Sequence, residues 1–285
     1  MEGLAASFAK LRFANAIESF RTMESRAAWN GMEDALSGGL ADAACGMMLL
    51  KTFAAKKDQY DEIVLELEAN LTRLAEMPTT LEVSTYGYYL LGRCYAFLGI
   101  KKESYLSNFL RTTFRVPFKN PLMNRASTLY MQCVAKDSSF VDAVFELGLL
   151  HDIGLNSKAI AIQAYEIVTE LNPDHALARE NLASLYSETK QLEEAQEEAE
   201  HLVRLNPNAI SYGTLSGIYA RQKMPREAWL AAKAAIEFPE HLGIRARSSS
   251  QTYLLSPDTV APVPGSRLYQ SPIQLEPASE AHFAR

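Results

Sequence analysis

His151 and Asp152 are adjacent in the sequence, and their side chains are of the two types that most often bind divalent metal ions. A catalytic metal ion needs several such ligands around it. The sequence has no histidine before His151, so the partners that such a site requires are missing upstream. We interpret His151 as a residue at a seam between packed helices, and we predict that no residue binds a metal.

The other residues with possible chemistry are equally isolated. Four further histidines are scattered, and none has a nucleophile signature beside it: His175, His201, His241 and His282. Gly38 and Gly39 are not followed by the Lys-Ser or Lys-Thr of a phosphate-binding loop. We therefore expect no catalytic residues, no cofactor and no enzymatic activity.

Composition and charge narrow the possible partners and location. The 285 residues carry 28 Lys and Arg against 34 Asp and Glu, a net charge of −6 without a basic stripe, which disfavours nucleic-acid binding. Cys45, Cys94 and Cys133 lie in apolar contexts, so we expect buried, reduced thiols. No apolar stretch is long enough for a membrane helix, and the N-terminus lacks the apolar core of a secretory signal. These features predict a cytoplasmic protein without a membrane span.

Helical periodicity runs through most of the chain, and the alternation typical of strands is missing. Residues 1–80 form the predicted helical N-terminal region. Residues 176–207 predict a helical hairpin that ends at Asn206-Pro207, because proline cannot continue a helix. The apolar faces of its two helices consist of residues at helical spacing: Leu182, Ala183, Tyr186, Ala195, Ala199 and Leu202.

This hairpin recurs with a period of about 34 residues, the mark of a helical solenoid. Three copies span residues 141–241. Residues 81–140 are predicted to be a degenerate copy plus an extra helix: the degenerate copy has its second helix from Lys102 to Arg115, and the extra helix runs from Leu122 to Lys136. The alternative is that the pairing of helices in this region is shifted by one. Residues 242–285 are rich in proline and serine and bury too little apolar surface to order the chain, so we expect a disordered tail.

The Leu-small-x-x-Tyr pattern of the first helices and the closing Asn-Pro of the second resemble the tetratricopeptide repeat family. The resemblance implies an all-α fold, a right-handed superhelix of helical hairpins, in which each copy buries its neighbour's apolar face. In that family the first helices line a concave groove that usually binds extended or helical peptides. The register of the copies assigns eight residues to the groove: Tyr89, Arg93, Phe145, Leu149, Asn181, Ser184, Thr214 and Arg221.

One subgroup of the family holds the C-terminal carboxylate of heat-shock chaperones with lysines, asparagines and an arginine. Asn181 matches one of the asparagine places, whereas Glu180 and Gly213 stand at lysine places. A carboxylate ligand would be repelled by Glu180. We therefore do not expect this chain to recognise such tails.

The leading hypothesis is an adaptor or scaffold that binds a peptide or protein segment in the groove. A second is a chaperone or assembly factor for a partner subunit, with a homodimer formed through the N-terminal helices. A third makes the repeats a regulatory appendage of a helical enzyme in residues 1–140. The apolar islands Tyr253-Leu254-Leu255 and Leu268-Tyr269 suggest a fourth, in which the tail docks into the groove and inhibits it.

Overall fold

The computed structural model describes residues 2–37, 39–76, 83–102, 120–238 and 254–263. Within these ranges it contains twelve α-helices and no strand, which confirms the all-α prediction. The helices are α1 Glu2–Arg21, α2 Ser25–Ser37, α3 Asp42–Ala54, α4 Tyr60–Glu76, α5 Thr85–Lys102, α6 Pro121–Lys136, α7 Val141–Leu149, α8 Lys158–Leu171, α9 Ala176–Glu188, α10 Leu192–Leu205, α11 Ala209–Arg221 and α12 Pro225–Ile236.

The second half of the molecule is a stack of four hairpins, in which α5 pairs with α6, α7 with α8, α9 with α10 and α11 with α12. Each hairpin also packs on the next, for example through α8 against α9 and α10 against α11. Asn172 and Asn206 close α8 and α10 at equivalent places, where the main-chain N–H of each still bonds back into its helix. The predicted solenoid of helical hairpins is therefore confirmed.

The corners inside the hairpins share one backbone conformation. Asn156, Lys190 and Lys223 all have left-handed φ angles, of 51°, 68° and 62°. A left-handed residue just past a helix lets the chain reverse and satisfies the last carbonyl groups of that helix. The recurrence of this costly geometry in three successive hairpins shows that they are copies of one unit.

One of these hairpins is a residue longer than its neighbours. Leu147 is nine residues before the corner at Asn156, whereas Leu182 is eight residues before the corner at Lys190. The extra residue is absorbed in a π-helical turn, Leu150–Gly154, whose wider ring is closed by a 2.9 Å bond from the N–H of Leu155 to the carbonyl of Leu150. His151 is one of the residues of this π-helical turn.

Within the described residues, the structure favours the shifted pairing for residues 81–140. The helix interpreted as extra, observed as α6, is the principal partner of α5 and is therefore the second helix of this hairpin. A Cβ added to Gly92 on α5 would lie 2.4 Å from Tyr130 on α6, and one added to Gly148 on α7 would lie 2.7 Å from Tyr165 on α8. The same close contact thus holds both hairpins together. The stretch assigned as the second helix, Lys102 to Arg115, falls almost wholly outside the described residues.

The buried residues form two apolar clusters. Cluster 1 extends from α1 to the start of α7 and includes Tyr86, Tyr89 and Tyr130. Cluster 2 extends from α7 to α12 and includes Phe145, Leu149 and Tyr165. Stacked hairpins bury a continuous core in this way, because no single hairpin can cover its own apolar face.

Part of the C-terminal tail has a definite place in this architecture, unlike our expectation of disorder from residue 242 onward. Residues 254–263 lie against the stack, with a 3₁₀ turn at Pro257–Thr259. Leu254 belongs to cluster 2, and Val260 and Ala261 belong to cluster 1. These three apolar side chains are buried within a stretch of ten residues. The overall composition of the tail did not indicate that this stretch could bury apolar surface. Its second apolar island, Leu268-Tyr269, lies outside the described residues.

Candidate functional site

The first helices of the four hairpins, α5, α7, α9 and α11, form the surface that we call the groove. Each of these helices has a small residue where it packs against the second helix of its hairpin. The residue three positions before this small residue and the residue one position after it are equivalent in all four helices. The paired positions, in chain order, are Tyr89 and Arg93, Phe145 and Leu149, Glu180 and Ser184, and Gly213 and Gly217. The side chains at these positions become smaller along the array, from tyrosine and arginine on α5 to two glycines on α11.

Two tyrosine hydroxyls bracket the main chain of Ala261 at the α5 end of the groove. The Tyr86 hydroxyl donates to the carbonyl of Ala261, and the Tyr89 hydroxyl accepts from its N–H at 3.0 Å. Burial raises the pKa of Tyr86 well above its usual range, so this hydroxyl stays protonated and able to donate. The main-chain polar groups of a buried residue must be paired, and here tyrosine side chains pair both of them.

Two arginines hold the turn of the same segment by its carbonyl groups. Arg93 donates from Nη2 to the carbonyl of Ser256 at 2.8 Å and to the hydroxyl of Thr259 at 3.0 Å. Arg21, at the end of α1, donates from Nε and Nη2 to the carbonyl of Asp258 at 3.3 and 3.4 Å. Three of these hydrogen bonds are to main-chain carbonyl oxygens and one is to a hydroxyl. They therefore depend on the backbone conformation of the segment more than on its side chains.

Glu146 fixes the residues that hold the segment. It accepts from the Tyr89 hydroxyl at 2.7 Å, from Arg93 Nη1 at 2.8 Å and from the Tyr130 hydroxyl at 2.6 Å. The Arg93 and Glu146 side chains are both 0% exposed. Burial raises the pKa of Glu146, while Arg93, Tyr130 and Tyr89 act against that rise. A buried charge needs such compensation, and the network also sets the position of Tyr89 and Arg93.

The early groove residues predicted from the sequence are therefore buried and do not form an open lining. Tyr89 and Arg93 are fully buried and contact residues 254–263. Phe145 and Leu149 are each 1% exposed and share cluster 2 with Leu254 of the tail. These residues belong to the same core as the tail segment, and Phe145 also packs against the rings of Tyr165 and His175.

The later groove residues come together around an open cleft of about 450 Å³ between α9 and α11. Ser184, Thr214 and Arg221 were predicted from the sequence, and all three line it. Gly213 and Gly217 line it as well, and a Cβ added to either would have no atom within 4 Å. The glycines are therefore not required by packing within the chain, and their effect is to keep this cleft deep.

Arg221 and Asn181 also join neighbouring helices. Arg221 Nη1 donates to the carbonyl and to the hydroxyl of Ser187, both at 2.9 Å, which ties α11 to α9. Asn181 donates to the Tyr165 hydroxyl at 3.3 Å, so its amide is engaged with the preceding hairpin and does not line the cleft. The expectation that Asn181 belongs to the binding surface stays a prediction.

Sequence reasoning missed two contributors to the site, Tyr86 and Arg21, whereas docking of the tail was its fourth hypothesis. Tyr86 precedes the repeat pattern by one helical turn, so the register gave it no role. Arg21 lies far from the segment in sequence, and no periodicity links the two. The apolar pair Leu254-Leu255 was the only signal of docking, because the hydrogen bonds to Ser256, Asp258 and Ala261 use main-chain atoms that every residue has.

His151 has a structural environment. Its Nε2 lies 2.9 Å from the Ser127 hydroxyl, and burial lowers the pKa of its imidazole. Among the residues with described positions, no group of three or more His, Cys, Asp or Glu side chains is arranged to hold a metal ion. No helix in the described ranges is both long and apolar enough to cross a membrane.

Comparison with known proteins matches residues 164–197 to a family model described as "Tetratricopeptide repeat". Among solved structures, that of pilF from Pseudomonas aeruginosa is similar over 87% of this chain and 97% of that one, with 14% identity and a TM-score of 0.52. A crystal structure of MamA is similar over 66% of this chain and 92% of that one, with 19% identity and a TM-score of 0.48. No curated protein sequence matches the chain.

The matched residues cover α8's second half, α9 and the start of α10, the part of the molecule in which the sequence repeat is clearest. The likeness to pilF bears on the fold alone. The repeated corners, the recurring Gly–Tyr contact and the stacked hairpins extend the same unit to either side of the matched residues. The fold is a solenoid of helical hairpins, and a fold of this kind supports a scaffold for protein–protein interaction in general. The part of the chain that the tetratricopeptide repeat model matches is residues 164–197.

Proposed function

We propose that the chain binds an extended segment of a partner protein in the groove and acts as an adaptor or scaffold. The observation that carries the proposal is the position of residues 254–263, where Tyr86, Tyr89 and Arg93 form hydrogen bonds with the main chain of a short segment that contains a 3₁₀ turn. A surface that satisfies main-chain groups while burying side chains suits a peptide ligand, because neither half of the ligand is left unpaired.

The apolar contacts support a short peptide and not a folded surface. Leu254, Val260 and Ala261 are buried to 0%, 0% and 3% exposure within a stretch of ten residues. Between Leu254 and Val260 the 3₁₀ turn lifts Asp258 toward solvent. One short peptide segment can place apolar side chains on both sides of an exposed turn in this way. The open cleft at Ser184, Thr214 and Arg221 offers room for a longer partner to continue along the array.

The experiment uses a fluorescein-labelled peptide with the sequence of residues 252–265 and full-length protein carrying Val260→Asp. The substitution places a carboxylate in a buried apolar site and so releases the chain's own segment. We expect saturable binding by fluorescence anisotropy, with a Kd on the order of 100 µM. Absence of saturable binding, with the helical circular dichroism signal intact, would contradict a peptide-binding groove.

A matched pair of tyrosine variants locates the binding. In the Val260→Asp background, Tyr86→Phe removes the hydroxyl that donates to Ala261, and a hydrogen bond of about 1 kcal/mol corresponds to roughly fivefold weaker binding. Tyr88→Phe on the same helix is the control, because the described contacts of Tyr88 are with Lys136 and not with the segment. Equal losses in both variants would place the peptide elsewhere.

An assembly factor would use the same groove for a segment of its subunit, so this alternative shares the prediction above. Homodimerisation through the N-terminal helices remains a prediction of the sequence. Light scattering of the full chain measures it directly.

A further inference from the structure

The groove is occupied by the chain itself, and this occupant shows which features the surface accepts. Cluster 1 receives Val260 and Ala261, and cluster 2 receives Leu254. The segment thus touches both halves of the stack across the boundary at α7. Its interactions resemble those of a ligand, since hydrogen bonds reach its main chain and apolar side chains fill two separated sites.

The charges at the site indicate that it does not select a carboxylate. Arg93 is paired with Glu146 at 2.8 Å, and Arg21 is paired with Glu18 at 2.9 Å. Each guanidinium is thus already paired with a glutamate of this chain. Arg93 Nη2 and Arg21 Nε and Nη2 donate to neutral oxygens of the segment. The segment's own carboxylate, on Asp258, is exposed and accepts from the Ser256 hydroxyl.

A carboxylate directed at Arg93 would meet Glu146 as well. The attraction from the guanidinium would then be offset by repulsion from a carboxylate in the same buried network, and the ligand would also lose its hydration. A main-chain carbonyl avoids both losses, because it is neutral and needs only one donor. The preferred ligand is therefore a stretch inside a chain and not a chain end.

We propose that residues 254–263 are a built-in mimic of the partner, which the partner must displace to bind. The partner segment is internal to its chain. It presents an aliphatic residue, then a turn with carbonyls facing the two arginines, then small aliphatic residues bracketed by Tyr86 and Tyr89. The inference rests on the proposed function, whose groove it assigns to this ligand class.

The mimic is suited to exchange. It is joined to α12 by residues 239–253, a link short enough to give a local concentration of the order of 1 mM. Ordering ten residues of chain opposes the gain from three apolar side chains and the hydrogen bonds, so the docked state is held by a modest difference. A tethered ligand of this kind multiplies the apparent Kd of a competitor by one plus the ratio of its local concentration to its own Kd, because only the unoccupied fraction of grooves can bind.

The first arm of the test measures competition. The labelled 252–265 peptide is titrated into the wild-type full chain and into full-length Val260→Asp. A peptide Kd of about 100 µM and a local concentration of about 1 mM predict roughly tenfold weaker binding by the wild type. Leu254→Asp, which disturbs the other apolar site, is the second releasing variant and should match Val260→Asp. Asp258→Ala in the full chain is the control and should behave as the wild type.

The second arm measures the ligand class with altered peptides on full-length Val260→Asp. Thr259→Glu puts a carboxylate beside Arg93, and we expect at least threefold weaker binding. Asp258→Ala removes the exposed carboxylate and should leave the Kd unchanged. Ala261→Pro removes the N–H that bonds to Tyr89 and should weaken binding about fivefold.

The outcomes separate the two proposals. Equal peptide affinity for wild type and both releasing variants would overturn the mimic while leaving the peptide-binding groove in place. Tighter binding of the Thr259→Glu peptide would overturn the neutral-ligand class. No binding to any of the full-length proteins would overturn the proposed function itself. Docking of the segment into a second copy would appear as a dimer of the wild type that both releasing variants dissociate, and would overturn displacement within one chain.

Discussion

At the scale of single residues, Glu146 combines full burial of a carboxylate with three hydrogen-bond donors around it. It is a fully buried carboxylate that accepts from two tyrosines and one arginine. Removing one member of such a pair leaves the other charge buried and uncompensated, whereas removing both members together avoids that cost. The stability lost on removing one member of this network should therefore exceed the contribution of its individual hydrogen bonds.

We expect Glu146→Gln and Arg93→Met each to lower the free energy of unfolding by about 3–5 kcal/mol, and the double variant to cost clearly less than the sum. Urea denaturation of the full chain followed by circular dichroism measures this. The exposed pair Arg12–Asp34, with side chains 56% and 61% exposed, is the control. Its variant Asp34→Asn should change the stability by less than about 1 kcal/mol. Additive losses at Arg93 and Glu146 would contradict the coupling.

Asp142, one turn before Glu146 on α7, makes the stability depend on pH. Burial raises the pKa of Asp142 to about 6, from an ordinary value of 3.8, and the charge of Glu146 adds to the rise. The folded state thus binds the proton more tightly than the unfolded state. The contribution of Asp142 to stability is present below about pH 4 and is lost as the pH rises through 6.

Asp142→Asn has no ionisation to lose, so it should be more stable than the wild type at pH 7.5, by about 2–3 kcal/mol. The difference should shrink steadily between pH 6 and pH 4 and nearly vanish below that. Thermal or urea unfolding of both proteins over this pH range gives the difference directly. A difference that is constant with pH would show that Asp142 titrates near its ordinary value.

At the scale of the helix, glycines on the same repeat element have opposite roles. Gly217 on α11 faces the open cleft, whereas Gly148 on α7 lies against the Tyr165 ring. Glycine in a helix interior costs about 1 kcal/mol relative to alanine unless the space is needed. The two positions therefore respond differently to one added methyl group.

Gly217→Ala should raise the stability by about 1 kcal/mol, because the new Cβ meets no atom. Gly148→Ala should lower it by about 1–3 kcal/mol, because its Cβ would lie 2.7 Å from the ring of Tyr165. Differential scanning calorimetry of the two variants tests the pair. A stabilising Gly148→Ala would mean that α7 and α8 separate without cost.

The helices show which parts of the molecule a sequence can reveal. The hairpins from α7 to α12 follow from apolar spacing and closing Asn-Pro pairs, since each contact is between neighbours in the chain. The pairing of α5 with α6 stayed open because residues 103–119 separate the two helices, and the pairing depends on the contact of Gly92 with Tyr130. No periodicity in the chain marks a partner across such a gap.

The candidate site was predictable only where it repeats. Ser184, Thr214 and Arg221 were found because the register carries the groove position from copy to copy, and all three line the cleft. The α5 end depends on a segment 172 residues beyond Tyr89. The contacts there involve main-chain oxygens and one buried carboxylate, Glu146, whose importance comes from the hydroxyls and the guanidinium around it and not from its type.

At the scale of the whole molecule, most contacts join helices that are neighbours in the chain, whereas the docked segment contacts helices far from it in sequence. Neighbouring hairpins stabilise one another, so a solenoid can form progressively from one end. Residues 254–263 add bonds between distant parts of the chain, from Tyr86 to Ala261 and from Arg21 to Asp258. The N-terminal helices and the tail are thereby linked, although some 170 to 240 residues separate them in the sequence.

That separation has a consequence for synthesis on the ribosome. The chain emerges from its N-terminus at roughly 5–20 residues per second, so α5 and α6 are complete roughly ten seconds before Ala261 is made. Throughout that interval Tyr86, Tyr89 and Arg93 have no segment of their own chain to hold. Under the proposed function, a partner that meets the nascent protein would encounter the groove before its competitor is made, and the order of translation would favour formation of the complex.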